Sequence, residues 1–178
     1  MTNYPNWLRS IVEIGAVVET DEKRMDIANA IALENVSNSG GPFGAIICDE
    51  DGKVISCGFN AVTQMCDSTA HAEVIAIRNA QSELGVFNLS DAGSLTLYTS
   101  CAPCIMCFGA IWWSGLSRVV SSALAKDAEA VGFKEGPVTA QMWEDLKREK
   151  AVEHLANFQR NAESLRAFKE FEKTGKIY

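Results

Sequence analysis

The chain has 178 residues, a formal net charge of −7, a pI near 4.9 and 47% hydrophobic residues. That balance suits a soluble globular domain with a core of useful size, and it offers no basic stripe of the kind that neutralises phosphates in a nucleic-acid binder. No window approaches the roughly 18 apolar residues of a membrane span, and Met1–Pro5 carries no basic segment leading into an apolar run, so the expectation is a cytoplasmic protein with no nucleic-acid and no membrane partner.

Apolar residues at Leu8, Ile11, Val12, Ile14, Val17 and Val18 predict an amphipathic helix over Trp7–Val18. Asp21 can cap a second helix, whose positions Met25, Ile27, Ala28, Ile31, Ala32 and Val36 recur at helical spacing until Ser39-Gly40-Gly41-Pro42 stops it. Phe43–Cys48 and Lys53–Phe59 read as two strands joined by an Asp-Gly turn. A loop at Thr63–Ser68 leads into a helix from Thr69 to about Leu84. Leu95–Tyr98 is a strand, Thr99–Cys101 a turn, and a helix runs from Pro103 to Gly115. Ser117–Ser121 is a strand, Lys126–Ala130 a helical turn, and 132–137 a loop. Thr139–Lys150 is helix, Val152–Leu155 a strand, and Asn161–Lys173 a final helix. Strands alternating with helices give an α/β layered fold with a mixed sheet. The division expected is an N-terminal helical extension over 1–20 and one domain over 21–178.

Six cysteines without a secretory signal point to metal binding by some and burial of others rather than to a disulfide framework. Cys48 and Cys57 sit among apolar strand residues and read as small buried hydrophobes. Cys104 and Cys107 are one turn apart at a predicted helix N-terminus, whose positive end favours thiolates. With His71 they make a donor set for zinc that leaves one position open for water. Glu73, two residues beyond His71, can face that water without ligating the metal. Cys101-Ala102-Pro103-Cys104 is also a CxxC pair, so spacing leaves a closed structural site that includes Cys101 open as an alternative. His154 has no partner motif and reads as structural.

His71-x-Glu73 together with Pro103-Cys104-x-x-Cys107 resembles the H-x-E…P-C-x-x-C signature of zinc nucleobase deaminases, with the glutamate as proton shuttle. The proline in that signature selects Cys104 and Cys107 and leaves Cys101 aside. The chain thus resembles the cytidine deaminase superfamily, and within it the bacterial guanine deaminases. Gly40–Ala45, Gly58-Phe59-Asn60, Thr69–Val74, Leu97–Cys101 through Gly109-Ala110, Ala128-Glu129-Ala130 through Gly132-Phe133 and the terminal tyrosine carry that likeness. The resemblance implies a three-layer α/β/α fold around a mixed sheet of about five strands, and one zinc per chain. It implies hydrolytic deamination of guanine to xanthine and ammonia. Another aminopurine, cytosine or cytidine, guanosine or an aminotriazine such as ammeline would be the alternative substrate, and a non-enzymatic zinc module the alternative class. It implies catalytic roles for Glu73 and Glu135 and substrate contacts at Phe43, Asn60, Ala72, Trp113 and Tyr178. It also implies a homodimer whose C-terminal segment can be exchanged between subunits.

Overall fold

Side chains along each central strand alternate between two apolar layers, and this period of two places helices on both faces of one sheet. A computed structural model describes residues 4–174 and 177. In chain order the elements are α1 (Asn6–Arg9), α2 (Asp21–Ser37), β1 (Gly44–Cys48), β2 (Val54–Phe59), α3 (Val62–Met65), α4 (Ala72–Leu84), β3 (Thr96–Cys101), α5 (Ile105–Ser114), β4 (Arg118–Ala123), α6 (Ala125–Ala130), α7 (Ala140–Lys150), β5 (Glu153–Leu155) and α8 (Arg166–Thr174). The sheet order is β2-β1-β3-β4-β5, with β1 antiparallel to both neighbours and β3, β4 and β5 parallel. Ala45, Ile47, Leu97 and Val119 pack in the cluster that includes α4, α5 and α7 residues. Ile46, Cys48, Tyr98 and Val120 pack with Met25, Ala28 and Ile31 of α2. This is the three-layer mixed-sheet architecture expected. No helix among the described residues is long and apolar enough to cross a membrane.

Polar contacts anchor α2 across the sheet. Thr20 caps it by accepting the Lys23 N–H. The Asp21 carboxylate accepts from Tyr98 Oη at 2.5 Å, Arg118 Nη2 at 2.7 Å and Arg24 Nη1 at 3.0 Å, so one side chain ties the helix to β3 and β4. On the other face, Gly58 of β2 lies against the first turn of α4. A Cβ there would collide with the Ala72 carbonyl, and its absence lets α4 sit directly on the strand.

The N-terminal segment departs from expectation. Only α1 is helical, and residues 10–18 run through turns into extended backbone. The competing interaction is the open edge of β2. Gly15 N–H donates to the Val54 carbonyl at 2.8 Å, Val54 N–H to Ala16 at 2.9 Å and Val18 N–H to Gly52 at 2.9 Å. Tyr4 Oη accepts from Cys57 N–H at 3.3 Å, further along the same edge. Leu8 and Val12 are buried beneath. The extension therefore covers an edge strand that would otherwise invite pairing with another chain.

Three smaller differences have local causes. The expected turn at Thr99–Cys101 is strand, because Thr99 pairs with Ser121 and Cys101 with Ala123 of β4. The expected loop after Thr63 contains the short α3. The last helix starts at Arg166 rather than Asn161, since the Asn161 side chain accepts the N–H groups of Glu163 and Ser164 and holds a turn there. Helix α8 packs on α2 of its own chain, and its Phe168 and Phe171 join Phe133 and Cys101 in a third apolar cluster.

His154 is stacked on Trp143 at 3.6 Å and 18°, with Nε2 3.2 Å from Ser121 Oγ. Burial lowers its pKa to about 4, against about 6.5 for a free imidazole. The unfolded chain thus binds the proton more readily, so this group's stabilisation is complete above about pH 6.5 and is lost as the pH falls towards 4. Thermal melts of the wild type should show that decline, and His154→Gln should flatten this part of the profile. Deleting residues 1–18 should lower the melting temperature by about 10 °C, from the loss of buried Leu8 and Val12. It should also shift the protein to larger species in light scattering, as the bared β2 edge pairs.

Candidate active site

Two helix N-termini meet at one point. His71 is the N-cap residue of α4 and Cys104 the N-cap residue of α5, with Glu73 and Cys107 in the first turns behind them. His71 Nδ1 lies 3.5 Å from Cys104 Sγ and 3.6 Å from Cys107 Sγ. Glu73 Oε2 accepts from Cys107 Sγ at 3.4 Å. The hydrogen bond from Cys107, aided by His71, pulls the Cys104 thiol down to about 4. The same pairing with Cys104, together with burial, pushes Cys107 up. Burial raises the Glu73 carboxyl above its ordinary value.

A cavity of about 460 Å³ opens beside this cluster, with His71, Phe43, Asn60, Ser68 and Glu135 on its walls. Phe43 stands edge-on to Phe133 at 4.9 Å and to Phe168 at 5.6 Å, which gives one aromatic wall. Asn60 is almost wholly buried, and its Oδ1 accepts the Val62 N–H at 3.4 Å. Glu135 is 8% exposed. Its carbonyl accepts the Ile105 N–H at 2.9 Å, which fixes its loop to the start of α5. Burial, and then the proximity of Cys104 and Glu73, push its carboxyl up to about 8. Ile177 also lines the cavity and lies against Gly132.

The remaining expected contacts fall elsewhere. Ala72 is buried with its side chain in the core between α4 and the sheet, and it is not on the cavity wall. Trp113 is 77% exposed, with the Lys150 ammonium 5.2 Å from its ring centroid. It lies on the last turn of α5, about 14 Å from Cys104 at ~1.5 Å per residue, so within one chain it does not reach the cavity. Tyr178 lies outside the described residues. Val62, Ser68, Phe133 and Lys134 also line the cavity. Of these only Phe133 had a sequence signal, in the Gly132-Phe133 pair; Val62 at the start of α3 and the loop residues Ser68 and Lys134 have no motif of their own.

The sequence model of the cytidine and deoxycytidylate deaminase zinc-binding region matches residues 18–123. The chain belongs to this family of zinc-dependent deaminases. Over 109 residues it is 48% identical to the guanine deaminase of Bacillus subtilis strain 168, covering 61% of this chain and 67% of that one. It is 36% identical over 130 residues to the tRNA-specific adenosine deaminase of Buchnera aphidicola, covering 73% of this chain and 80% of that one. The solved structure of a guanine deaminase from Nitrosomonas europaea superposes with a TM-score of 0.88 at 32% identity, over 96% of this chain and 94% of that one.

The donor set fits the metal this family binds. Bonds of ~2.0–2.3 Å at a tetrahedral angle place neighbouring donors about 3.6 Å apart, which is the spacing His71 Nδ1 keeps from both sulfurs. The three donor atoms lie within 4.8 Å of one another, and His71, Cys104 and Cys107 form the one such cluster among the described residues. Cys101 is not in it: its thiol points at the Leu124 carbonyl, 3.7 Å away, and sits among Phe133, Ala123 and Ala128. Cys101→Ser should therefore retain about one zinc per chain by elemental analysis, and Cys107→Ser should lose it. Zinc loss in the Cys101 variant would restore the closed four-ligand site.

Proposed function

We propose that the protein deaminates guanine hydrolytically to xanthine and ammonia. The observation that carries this reading is the cavity itself: His71 of the cluster lines it together with an aromatic side chain, Phe43, an amide, Asn60, and a second buried carboxyl, Glu135. Water contributes its oxygen to C2 as the bond from C2 to the exocyclic nitrogen breaks; one of its protons stays on a ring nitrogen of the product and the other leaves on ammonia. His71, Cys104 and Cys107 would hold a zinc ion, which would lower the pKa of a water molecule towards neutrality and so provide a nucleophile. Glu73 takes a water proton on its carboxylate and passes it to a ring nitrogen; its burial beside the ligand cluster keeps that proton from bulk water. Glu135, on the cavity wall, delivers a proton to the leaving amine. Phe43 holds the ring plane, and Asn60 hydrogen-bonds the base edge with its free amide N–H groups.

Ile177 at the cavity wall supports closure of the pocket by the C-terminal segment of the chain on which α8 packs. Exposed Ile105 and Trp113 on α5 support a homodimer through that helix. Six unpaired cysteines support a reducing, cytoplasmic setting, where the reaction would serve purine breakdown. A second reading, deamination of adenosine in tRNA, has the Buchnera relative in its favour and the net charge of −7 against it.

Ammonia release from guanine, guanosine, cytosine, cytidine, adenine, ammeline and a tRNA anticodon stem-loop tests these readings together. Guanine should be the preferred substrate. Glu73→Gln should keep zinc and lose turnover by about 10³-fold or more. Removal of Ile177 and Tyr178 should weaken activity at unchanged zinc content. Release from another base and not from guanine would overturn the substrate assignment, and normal turnover in Glu73→Gln would overturn the shuttle.

A further inference from the structure

We infer that Asn35, at the buried end of α2, is a positioning residue for substrate recognition, clamping the loops that carry Phe43 and Asn60 into a single pocket wall. The inference rests on the reading that this cavity takes a nucleobase through those two side chains. Asn35 has no exposed surface. Its Nδ2 donates both protons, one to the Gly41 carbonyl and one to the Asn60 carbonyl, each at 2.8 Å. Gly41 lies two residues before Phe43 and starts the turn that presents it, with Phe43 N–H donating back to the Gly41 carbonyl at 2.8 Å. The two loops also meet directly, through Asn60 N–H and the Phe43 carbonyl at 3.1 Å. The amide of Asn35 thus joins backbone groups on both sides of that single link, from beneath the cavity and without lining it.

The placement is polar by necessity. Neither an apolar side chain nor a carboxylate can donate to two carbonyl oxygens, and either would leave both without this partner in a region closed to bulk water. The other end of the amide shows what the arrangement favours. Asn35 Oδ1 is buried and has no hydrogen-bond partner, so the side chain is turned to give its two donors to the two loops while its own acceptor goes without. Gly40 makes this possible: a Cβ at that position would land on the Asn35 carboxamide. The zinc ligands and Glu73 stand on α4 and α5, outside the clamp. Loss of the clamp should therefore loosen the base-binding wall and leave the chemistry of the cluster in place, a change that falls on KM more than on kcat.

Two variants test this in the zinc-loaded enzyme. Asn35→Ala removes the donors. Gly40→Ala keeps every polar group and displaces the amide. Each should raise KM for guanine about tenfold, with kcat changed less than about threefold and zinc content unchanged. If Asn35 acts through Asn60, the double variant Asn35→Ala/Asn60→Ala should bind guanine no more weakly than Asn60→Ala alone. An unchanged KM in either folded variant overturns the inference, as does additivity in the double variant. Parallel loss of zinc, kcat and folding in both single variants would assign Asn35 to general stability and overturn it as well. A wild-type enzyme inactive on guanine would instead defeat the underlying reading, so the two failures are separable.

Discussion

Two helix N-termini are brought to one point, and the rest of the site depends on that. Strand β2 runs antiparallel to β1, which is antiparallel to β3, so β2, β3 and β4 all point the same way. Asn60 and then His71 follow the end of β2, Cys104 follows β3, and the loop bearing Glu135 follows β4 by way of α6. Phe43 precedes β1, and the reversed direction of that strand brings it to the same edge. Ligand crevices form outside the carboxyl ends of such strands because the chain must turn there into helices. The helices α4 and α5 then direct their unpaired N–H groups and the positive ends of their dipoles at the cluster.

That arrangement concentrates negative character where no solvent can screen it. Two cysteines, Glu73 and Glu135 are all buried in one region of a chain that is already acidic. Burial raises both carboxyls, Glu135 to about 8, with the nearby Cys104 adding to each shift, and the contact with Cys104 together with burial raises Cys107. A divalent ion among His71, Cys104 and Cys107 would relieve this and commit both sulfurs to the thiolate form. Glu73 and Glu135 share the raised direction but differ in position. Glu73 sits on α4 and touches the ligand cluster, while Glu135 lines the cavity from a loop tied to α5 through Ile105. Two buried carboxyls on separate elements suit a reaction that must take a proton in one place and release it in another.

Much of this was legible in the sequence because it is local. His71-x-Glu73 and Cys104-x-x-Cys107 are short motifs at helical spacing, with the resemblance to the deaminase signature choosing Cys107 over Cys101, and the strands are runs of apolar residues. What was not legible depended on partners far away in the chain. Residues 7–18 have a helical pattern, yet Gly15–Val18 pair along the edge of β2, a strand some forty residues later. Trp113 belongs to a helix whose other end holds the metal ligands, and only the length of that helix reveals that it points away. Asn35 reads as one more polar position on an amphipathic helix. Its role requires knowing that two loops, ending 6 and 25 residues further on, come back to it.

The division between helices and loops also bears on how the family varies. Glu73 and the residues that could hold the metal sit at the starts of α4 and α5, packed against the sheet with backbone contacts as close as Gly58 to Ala72. Other side chains on the cavity sit on connections: Phe43 and Asn60 on either side of the β1–β2 hairpin, Ser68 before α4, Lys134 and Glu135 between α6 and α7. Loops tolerate substitution and insertion far better than the packed elements they join. The chain is similar both to a guanine deaminase and to a tRNA-specific adenosine deaminase. On the reading proposed above, the choice between a free purine and a base in RNA falls to a few loop side chains and to the buried contacts, such as those of Asn35, that hold the loops in register.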